Sequence, residues 1–369
     1  VTNIISVAAS LVKAGTIVFL VHAGWGIRAL LYGEYAGFLA FVIPSIGVSF
    51  AILPELRVSP RFVDRATLKR LVDFGWKTQV AKLANLIMFQ TDKIVAGIVF
   101  RRFGLVGLYD LGIRWANTAR QIPALLLSAL VPAVSDLDAR DQQERLDTLY
   151  FRTTKYVGAL SMPLGLFLVG NADLIMRVWV GELDGLTTAS WVLRIIAIGY
   201  IANLIPGAGV SIALGKGRPD LQMKAGLISM IANVFLTVIL VFTVGFYGIP
   251  LATSMSMFIS TLWFFYAFRS FTKVPFRRLF GTAIARPLVS CTPGLLFSLL
   301  SAQWVFGESS RVLLAFYLIL SAGFFCVTYL MGLRFSTFFD DWDRQFFASF
   351  QWASATRLTR LLMGVSPRD

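Results

Sequence analysis

A helix needs a run of about twenty apolar residues to cross about 30 Å of hydrocarbon, and this 369-residue sequence contains ten such runs. They lie near residues 4–22, 36–54, 78–100, 105–133, 156–172, 189–214, 222–244, 248–268, 283–303 and 312–333. Inside a bilayer every backbone polar group must be satisfied within the fold, which leaves helices or a closed barrel as spanning elements. Segments of this length are helical, so the sequence predicts an all-α polytopic membrane protein with about ten transmembrane helices. Charged residues make up 15% of the chain, against about 25% in soluble domains. The first run is read as a span rather than a signal peptide, because Lys13 interrupts its middle and no small-residue cleavage pattern follows.

The few charges are lopsided. Lys and Arg number 34 against 20 Asp and Glu, a net charge of +14. In a soluble chain such an excess reads as nucleic-acid binding; here it follows the loops. With both termini cytoplasmic, 22 bases fall on the inner loops and tail, among them Arg57, Arg61, Arg145, Arg152, Lys155, Arg277, Arg278, Arg286, Arg334, Arg357, Arg360 and Arg368. Five fall outside (Arg28, Arg101, Arg102, Arg177, Arg311), and seven lie in spans or at their mouths. That bias predicts a multi-pass protein of a bacterial inner membrane with both termini inside, partnered by membrane lipids and not by nucleic acid. Two cysteines, Cys291 and Cys326, both in apolar stretches, and a single His22 supply neither a disulfide framework nor a zinc site.

Two segments are not spans. Residues 135–150 open with Ser135 and an acid three residues on, a capping-box-like start that predicts a short cytoplasmic helix. Phe339, Trp342, Phe346 and Phe350 recur at helical spacing beside Asp340, Asp341, Asp343 and Arg344, which predicts a tail helix in the membrane interface.

A charged residue at a helix centre costs about 2.5 to 3.5 kcal/mol on insertion scales. The third and fourth spans nevertheless hold Lys82, Asp92, Lys93, Asp110, Arg114 and Arg120. Gln79, Lys82, Asn85, Phe89 and Asp92 or Lys93 advance by three or four, as do Asp110, Arg114, Asn117 and Gln121, so each helix carries one polar stripe. Two consecutive helices then line one hydrated chamber, with Lys13 and Arg194 as contributors from other helices. The structural alternative is self-neutralisation, Asp92 with Lys93 and Asp110 with Arg114, with Lys77 or Arg120 snorkelling to an interface. Pro123, Pro132, Pro163, and Pro206 with Gly207 and Gly209 are expected to bend helices around such a cavity.

The stretch DFGWKTQVAKLANLIMFQTDKIVAG (73–97) followed by GLVGLYDLGIRWANTARQIPALLLSALVPAVSDLDA (104–139) resembles the start of the second half of a polysaccharide flippase. The family is that of the Wzx-like O-antigen and exopolysaccharide transporters of the multidrug/oligosaccharidyl-lipid/polysaccharide exporter superfamily. The resemblance rests on Asp92 deep in one helix, Gly107 and Tyr109 opening the next, then Arg114, Pro123, Pro132 and Ser135. It continues through LSMPLGLFLVGNADLIMRVWVG, with Pro163 and Gly181, and GFYGIPLATSMS at 245–256, covering about residues 70–335.

This resemblance implies a MATE-like fold of two six-helix bundles around a cavity that opens to either side in turn, and the movement of a polyprenyl-diphosphate-linked oligosaccharide. It also implies that the first four helices are missing. Residues 1–56 then hold the last two helices of an incomplete first bundle and 57–77 a cytoplasmic linker. Residues 78–270 form the six-helix second bundle, 271–335 two additional helices and 336–369 the tail. The cavity residues expected to meet an anionic lipid-linked oligosaccharide are Lys82, Lys93, Arg114, Asn117, Arg120 and Arg194, since Arg and Lys hold a diphosphate without chemistry. Asp92 and Asp110 are expected to hold a coupling H+ or Na+, with no other cofactor, and other polysaccharide-assembly membrane proteins are conceivable partners.

Two other functions compete. A cation-coupled drug antiporter of the same superfamily should prefer an acidic cavity, and the seven bases in the spans or at their mouths outnumber Asp92 and Asp110. A membrane enzyme of lipid-linked glycan assembly could use Asp341-Trp342-Asp343 as a D-x-D metal site, but no nucleotide-binding domain accompanies it. The chain is read as a transporter rather than an enzyme.

Overall fold

The computed structural model describes residues 2–55, 59, 63–101, 103–304 and 310–349. Arg57, Arg61, Arg102, Phe350, Arg357, Arg360 and Arg368 lie outside these, as does the side chain of Phe346. The described residues are overwhelmingly helical, and eight helical runs are long and apolar enough to cross a membrane, nine if one bent pair counts as a span. One of the eight, Pro219–Phe271, has 53 residues, about 80 Å if straight. It folds back at Gly245–Tyr247 into α10 (Pro219–Val244) and α11 (Gly248–Phe268). Ser260 bonds the Ala225 carbonyl and Asn233 bonds Thr253, which fixes the two as an antiparallel hairpin. Counted as two crossings, that run brings the total to ten, as the apolar runs predict.

The chain divides into two compact units at Arg70 and Leu71. The first contains α1 (Thr2–His22) and α2 (Arg28–Ile52). Gly33 and Gly37 let the two helices close: a Cβ at Gly33 would strike Ile17, and one at Gly37 would sit 2.9 Å from the Lys13 Cβ. Small residues four apart are how membrane helices approach when lipid removes the hydrophobic drive. Lys13, expected in a chamber, pairs with Glu34 across this hairpin.

The stretch 57–77, expected as a linker, contains the start of a helix from Arg65. Asp64 accepts the Thr67 N–H (2.9 Å) and hydroxyl (3.0 Å), capping α3 (Arg65–Phe100), and the Thr67 N–H above all holds its carboxyl below the usual range.

The second unit is built from α3, α4 (Phe103–Ser128), α5 (Leu130–Ala139), α6 (Gln143–Gly170), α7 (Ala172–Val180), α8 (Leu186–Leu204), α9 (Gly207–Gly215), α10, α11, α12 (Phe276–Leu279), α13 (Arg286–Trp304), α14 (Arg311–Phe335) and α15 (Asp341–Ser349). Its main core lies where α3, α4, α8 and α11 meet, around Met88, Tyr109, Val192, Ile196 and Ile249. The two helices α13 and α14 belong to this same unit. Tyr329 of α14 donates to the Ala159 carbonyl of α6 (2.6 Å), and Asn171 links Ser298 of α13 (3.0 Å) and Ser321 of α14 (2.8 Å).

Three local expectations change. The segment 135–150 is not one helix, because α5 ends at Ala139 and the chain turns through Asp141 at φ 53°. Ser135 spends its hydroxyl on the Val131 and Gly215 carbonyls instead of capping. A 72° bend joins α6 to α7 at Asn171, whereas Pro123 and Pro163 sit inside continuous helices, where packed neighbours can accommodate the freed carbonyl. The D-x-D pair splits: Asp341 is exposed and pairs with Arg344, while Asp343 is fully buried against α6. Successive helix positions point about 100° apart, so the two carboxylates cannot share an ion.

Candidate functional site

Helix α3 presents two different polar faces. Ala81, Ala84, Met88, Asp92 and Ala96 recur every three or four residues and are all buried, so Asp92 lies on the packing face. Lys82 is exposed and Lys93 half-exposed on the rest of the helix. The expected stripe of Asp92 or Lys93 therefore resolves to Lys93, and Asp92 does not line a chamber with Lys82.

Asp92 sits at a junction of four helices. Its Oδ2 accepts the Tyr109 hydroxyl of α4 at 2.6 Å and the Thr253 hydroxyl of α11 at 2.5 Å. Asn233 of α10 donates to Thr253 at 3.0 Å, and Ser229 and Ser256 close the row by donating to the Met88 sulfur. Asp92 is 0% exposed. Asp92 Oδ1 and Asn233 Oδ1 are buried here without a hydrogen-bond partner, as is Thr237 Oγ1 one turn further along α10. Buried polar atoms are nearly always paired, so these unpaired oxygens, one of them the carboxylate's own, leave the site chemically incomplete. Hard oxygen donors of this kind suit a proton or a small hard cation.

The second cluster is the basic stripe. Lys93 pairs with Asp110 across α3 and α4 at 2.8 Å, both 37% exposed, rather than Asp110 pairing with Arg114 along its own helix. Arg114 and Asn117 are exposed on α4. Among the described residues, Lys82 and Arg114 form no ion pair. Tyr200 of α8 donates to Asn117 Oδ1 at 2.7 Å, and the Arg120 guanidinium lies over its ring, 4.9 Å from the centroid. Arg120 and Tyr200, with Ser161, Gly165 and Ile201, line a half-open pocket of about 20 Å³ between α4, α6 and α8, large enough for one water.

Arg194 stands apart from that stripe. Its guanidinium bonds Asp173 at 2.5 Å and the Val169 carbonyl at 3.2 Å, and lies over the Trp191 ring. It braces the break between α6 and α7. A double-mutant cycle on Arg194→Ala and Asp173→Ala, read by thermal unfolding in detergent, should give a coupling of about 1 to 2 kcal/mol. No coupling would return Arg194 to the list of free cations.

Sequence reasoning singled out Asp92 and missed most of its partners. Asn233, Thr237 and Thr253 are lone polar residues in apolar helices. The signal was there in part: Ser229, Asn233 and Thr237 are four apart on one face of α10, and Thr253, Ser256 and Ser260 follow the same rule on α11. Tyr200 carried no such signal, since a lone tyrosine in an apolar helix reads as core.

Residues 1–183 match a family model described as "Polysaccharide biosynthesis protein". The chain is 24% identical over 266 residues to the "Probable low-salt glycan biosynthesis flippase Agl15" of Haloferax volcanii, covering 70% of this chain and 52% of that protein. It thus spans about half the length of the curated relative it matches. Its fold overlays that of "Lipid II flippase MurJ, inward closed conformation" with a TM-score of 0.60 at 14% identity, covering 87% of this chain and 65% of that one. A structure described as a MOP superfamily transporter from Pyrococcus furiosus overlays more loosely, with a TM-score of 0.43 at 15% identity over 80% of this chain and 76% of that one.

Proposed function

We propose that the chain is a Wzx-like polysaccharide flippase of the multidrug/oligosaccharidyl-lipid/polysaccharide exporter superfamily, and that it translocates a polyprenyl-diphosphate-linked oligosaccharide across the cytoplasmic membrane, both termini inside. The observation that carries this reading is the exposed basic stripe on α3 and α4 at membrane depth. Lys82 and Arg114 facing lipid would each cost about 2.5 to 3.5 kcal/mol; facing water beside a diphosphate they cost little and bind it. Arg120 and Asn117, both held by Tyr200, extend the stripe. A negative-inside potential favours outward movement of an anion by about 2.3 kcal/mol per charge per 100 mV. The sign of the stripe favours an anionic cargo over the cations of a drug antiporter.

Coupling serves mainly to reset the empty carrier, and the Asp92 junction is the place where H+ or Na+ would bind. Its orphan oxygens support that assignment. Asp110, neutralised by Lys93, is the weaker candidate. Replacing Lys82 or Arg114 with Ala in the protein as encoded should abolish glycan export at normal protein levels. Unchanged export with both residues replaced would sink the cavity assignment.

A further inference from the structure

The most charged buried site in the second unit is not in the stripe. It lies at the end of α6 near Arg152, where the chain segment after α14 folds back onto the helix. Asp343 Oδ1 accepts from Arg152 at 2.9 Å and from the Tyr156 hydroxyl at 2.5 Å, and Asp343 Oδ2 pairs with Lys155. Asp340 Oδ2 takes a second Arg152 bond at 2.5 Å. Side-chain exposure is 2% for Lys155, 14% for Arg152 and 0% for Asp343. Trp342 and Phe338 cover the two cations, with ring centroids 4.4 and 4.6 Å away.

Such a cluster needs a reason, because a buried ion pair is often no more stabilising than well-packed apolar residues of the same volume, and switching is among its better-attested uses. Three features point to a site occupied by the chain's own acids. First, Arg152, Lys155 and Tyr156 are all donors converging on one point, the donor set of a phosphate site. Second, the fit of the carboxylates is incomplete: Arg152 Nη1 serves both aspartates while its Nε is buried without an acceptor. Three oxygens from the two carboxylates are engaged, and they still leave that N–H unserved. Third, the segment is held under strain. Thr337, at its start, has φ 51°, a region in which a β-branched residue is an outlier costing on the order of 1 to 3 kcal/mol. Partial burial pushes the Asp340 carboxyl up, but the Arg152 bond, the Asp343 N–H and the two cations reverse this and leave it at about 2, so Asp340 is an anion at neutral pH.

We propose that Arg152, Lys155 and Tyr156 form a binding notch for an anionic phosphate headgroup in the adjacent leaflet, occupied here by Asp340 and Asp343 as an internal competitor that the headgroup displaces. The notch rests on the membrane orientation given above, which places it at the cytoplasmic leaflet, and not on transport. Its ligand is a phosphate, whether the diphosphate of a lipid-linked sugar or the headgroup of an anionic phospholipid.

The test is a distance measurement between spin labels at Asp341→Cys and Thr148→Cys, both exposed and outside the notch, in a background lacking Cys291 and Cys326. In phosphatidylcholine vesicles the expected distribution is short. Added undecaprenyl diphosphate should lengthen it, and Asp343→Asn should lengthen it without any added lipid. Asp340→Asn, which removes fewer bonds, should do so to a smaller extent and guards against a misfolded Asp343 variant. Because an internal competitor lowers apparent affinity by the fraction of time it leaves the notch free, Asp343→Asn should bind the diphosphate lipid about tenfold more tightly. Adding Arg152→Gln should remove that gain. Lengthening by phosphatidylglycerol as well as by the diphosphate supports a general phosphate notch; lengthening by the diphosphate alone supports a substrate site. The proposal is overturned if neither lipid moves the distribution, or if Asp343→Asn leaves affinity unchanged or weaker. These readouts need no export, so they can fail while the transport assignment stands, and the reverse.

Discussion

If the Asp92 junction holds the coupling ion proposed above, Asp92→Asn should uncouple export from that ion while leaving the fold intact. Asparagine keeps the shape and an acceptor oxygen, so the Tyr109 and Thr253 hydroxyls retain a partner at the junction. What it removes is the charge that would hold a cation or exchange a proton. A charge-assisted contact is worth about 1.5 to 3 kcal/mol, and about 2.7 kcal/mol is a hundredfold in rate. Ion-stimulated export should therefore fall about a hundredfold at normal protein level and unchanged unfolding temperature. Asp92→Ala should lose stability as well, because it strands two buried hydroxyls in a 0% exposed site. If Asp92→Asn exports with its ion dependence intact, the junction is structural and the coupling site lies elsewhere.

Gly158→Ala is expected to be strongly destabilising for the second unit. A Cβ at Gly158 would fall on the Ala283 carbonyl oxygen of the π-helical turn Phe280–Ala285, with the Ala283 carbonyl carbon 2.9 Å away. Neither atom is the end of a flexible side chain, so the backbone of one helix must move. Overpacking of this kind costs about 1 to 3 kcal/mol and more when backbone is involved. It would also prise the start of α13 from α6. Thermal unfolding in detergent should fall accordingly. Gly281→Ala is the control two residues from Ala283, because nothing lies within 4 Å of its added Cβ. It should be neutral or mildly stabilising, since alanine restricts the unfolded chain more than glycine. Equal effects at the two positions would contradict the packing described for α6.

Much of the architecture was legible because the bilayer reduces it to length and polarity. Ten apolar runs predicted ten crossings, and the hairpin of α10 and α11 falls where two runs meet at Gly245. The helix breaks were less legible. Prolines marked expected bends, but the 72° bend falls at Asn171, whose side chain bonds Ser298 and Ser321 on helices more than a hundred residues away. No local pattern encodes partners at that distance. The tail was legible only in part: its spacing predicted a helix, and Asp341–Ser349 is one. Its aromatic spacing suggested an interfacial helix, while the site of Asp343 is set by Arg152, Lys155 and Tyr156 of α6, which only folding brings near.

The clearest division runs between two neighbours, Asp92 and Lys93. Composition and spacing alone established that charges lie within the membrane on α3 and α4, that bases outnumber acids there, and that so many could not all face lipid. They could not say which face each charge takes, because a helix has no inside until other helices pack on it. Tertiary structure made that decision. The small residues Ala81 and Ala84 let α10 approach at Gly226, on the face of α3 where Asp92 is buried with Tyr109, Thr253 and Asn233. Lys93, one residue and about 100° further round, is left half-exposed against Asp110. One polar stripe in the sequence thereby becomes a buried junction suited to an ion and an open basic surface suited to an anion.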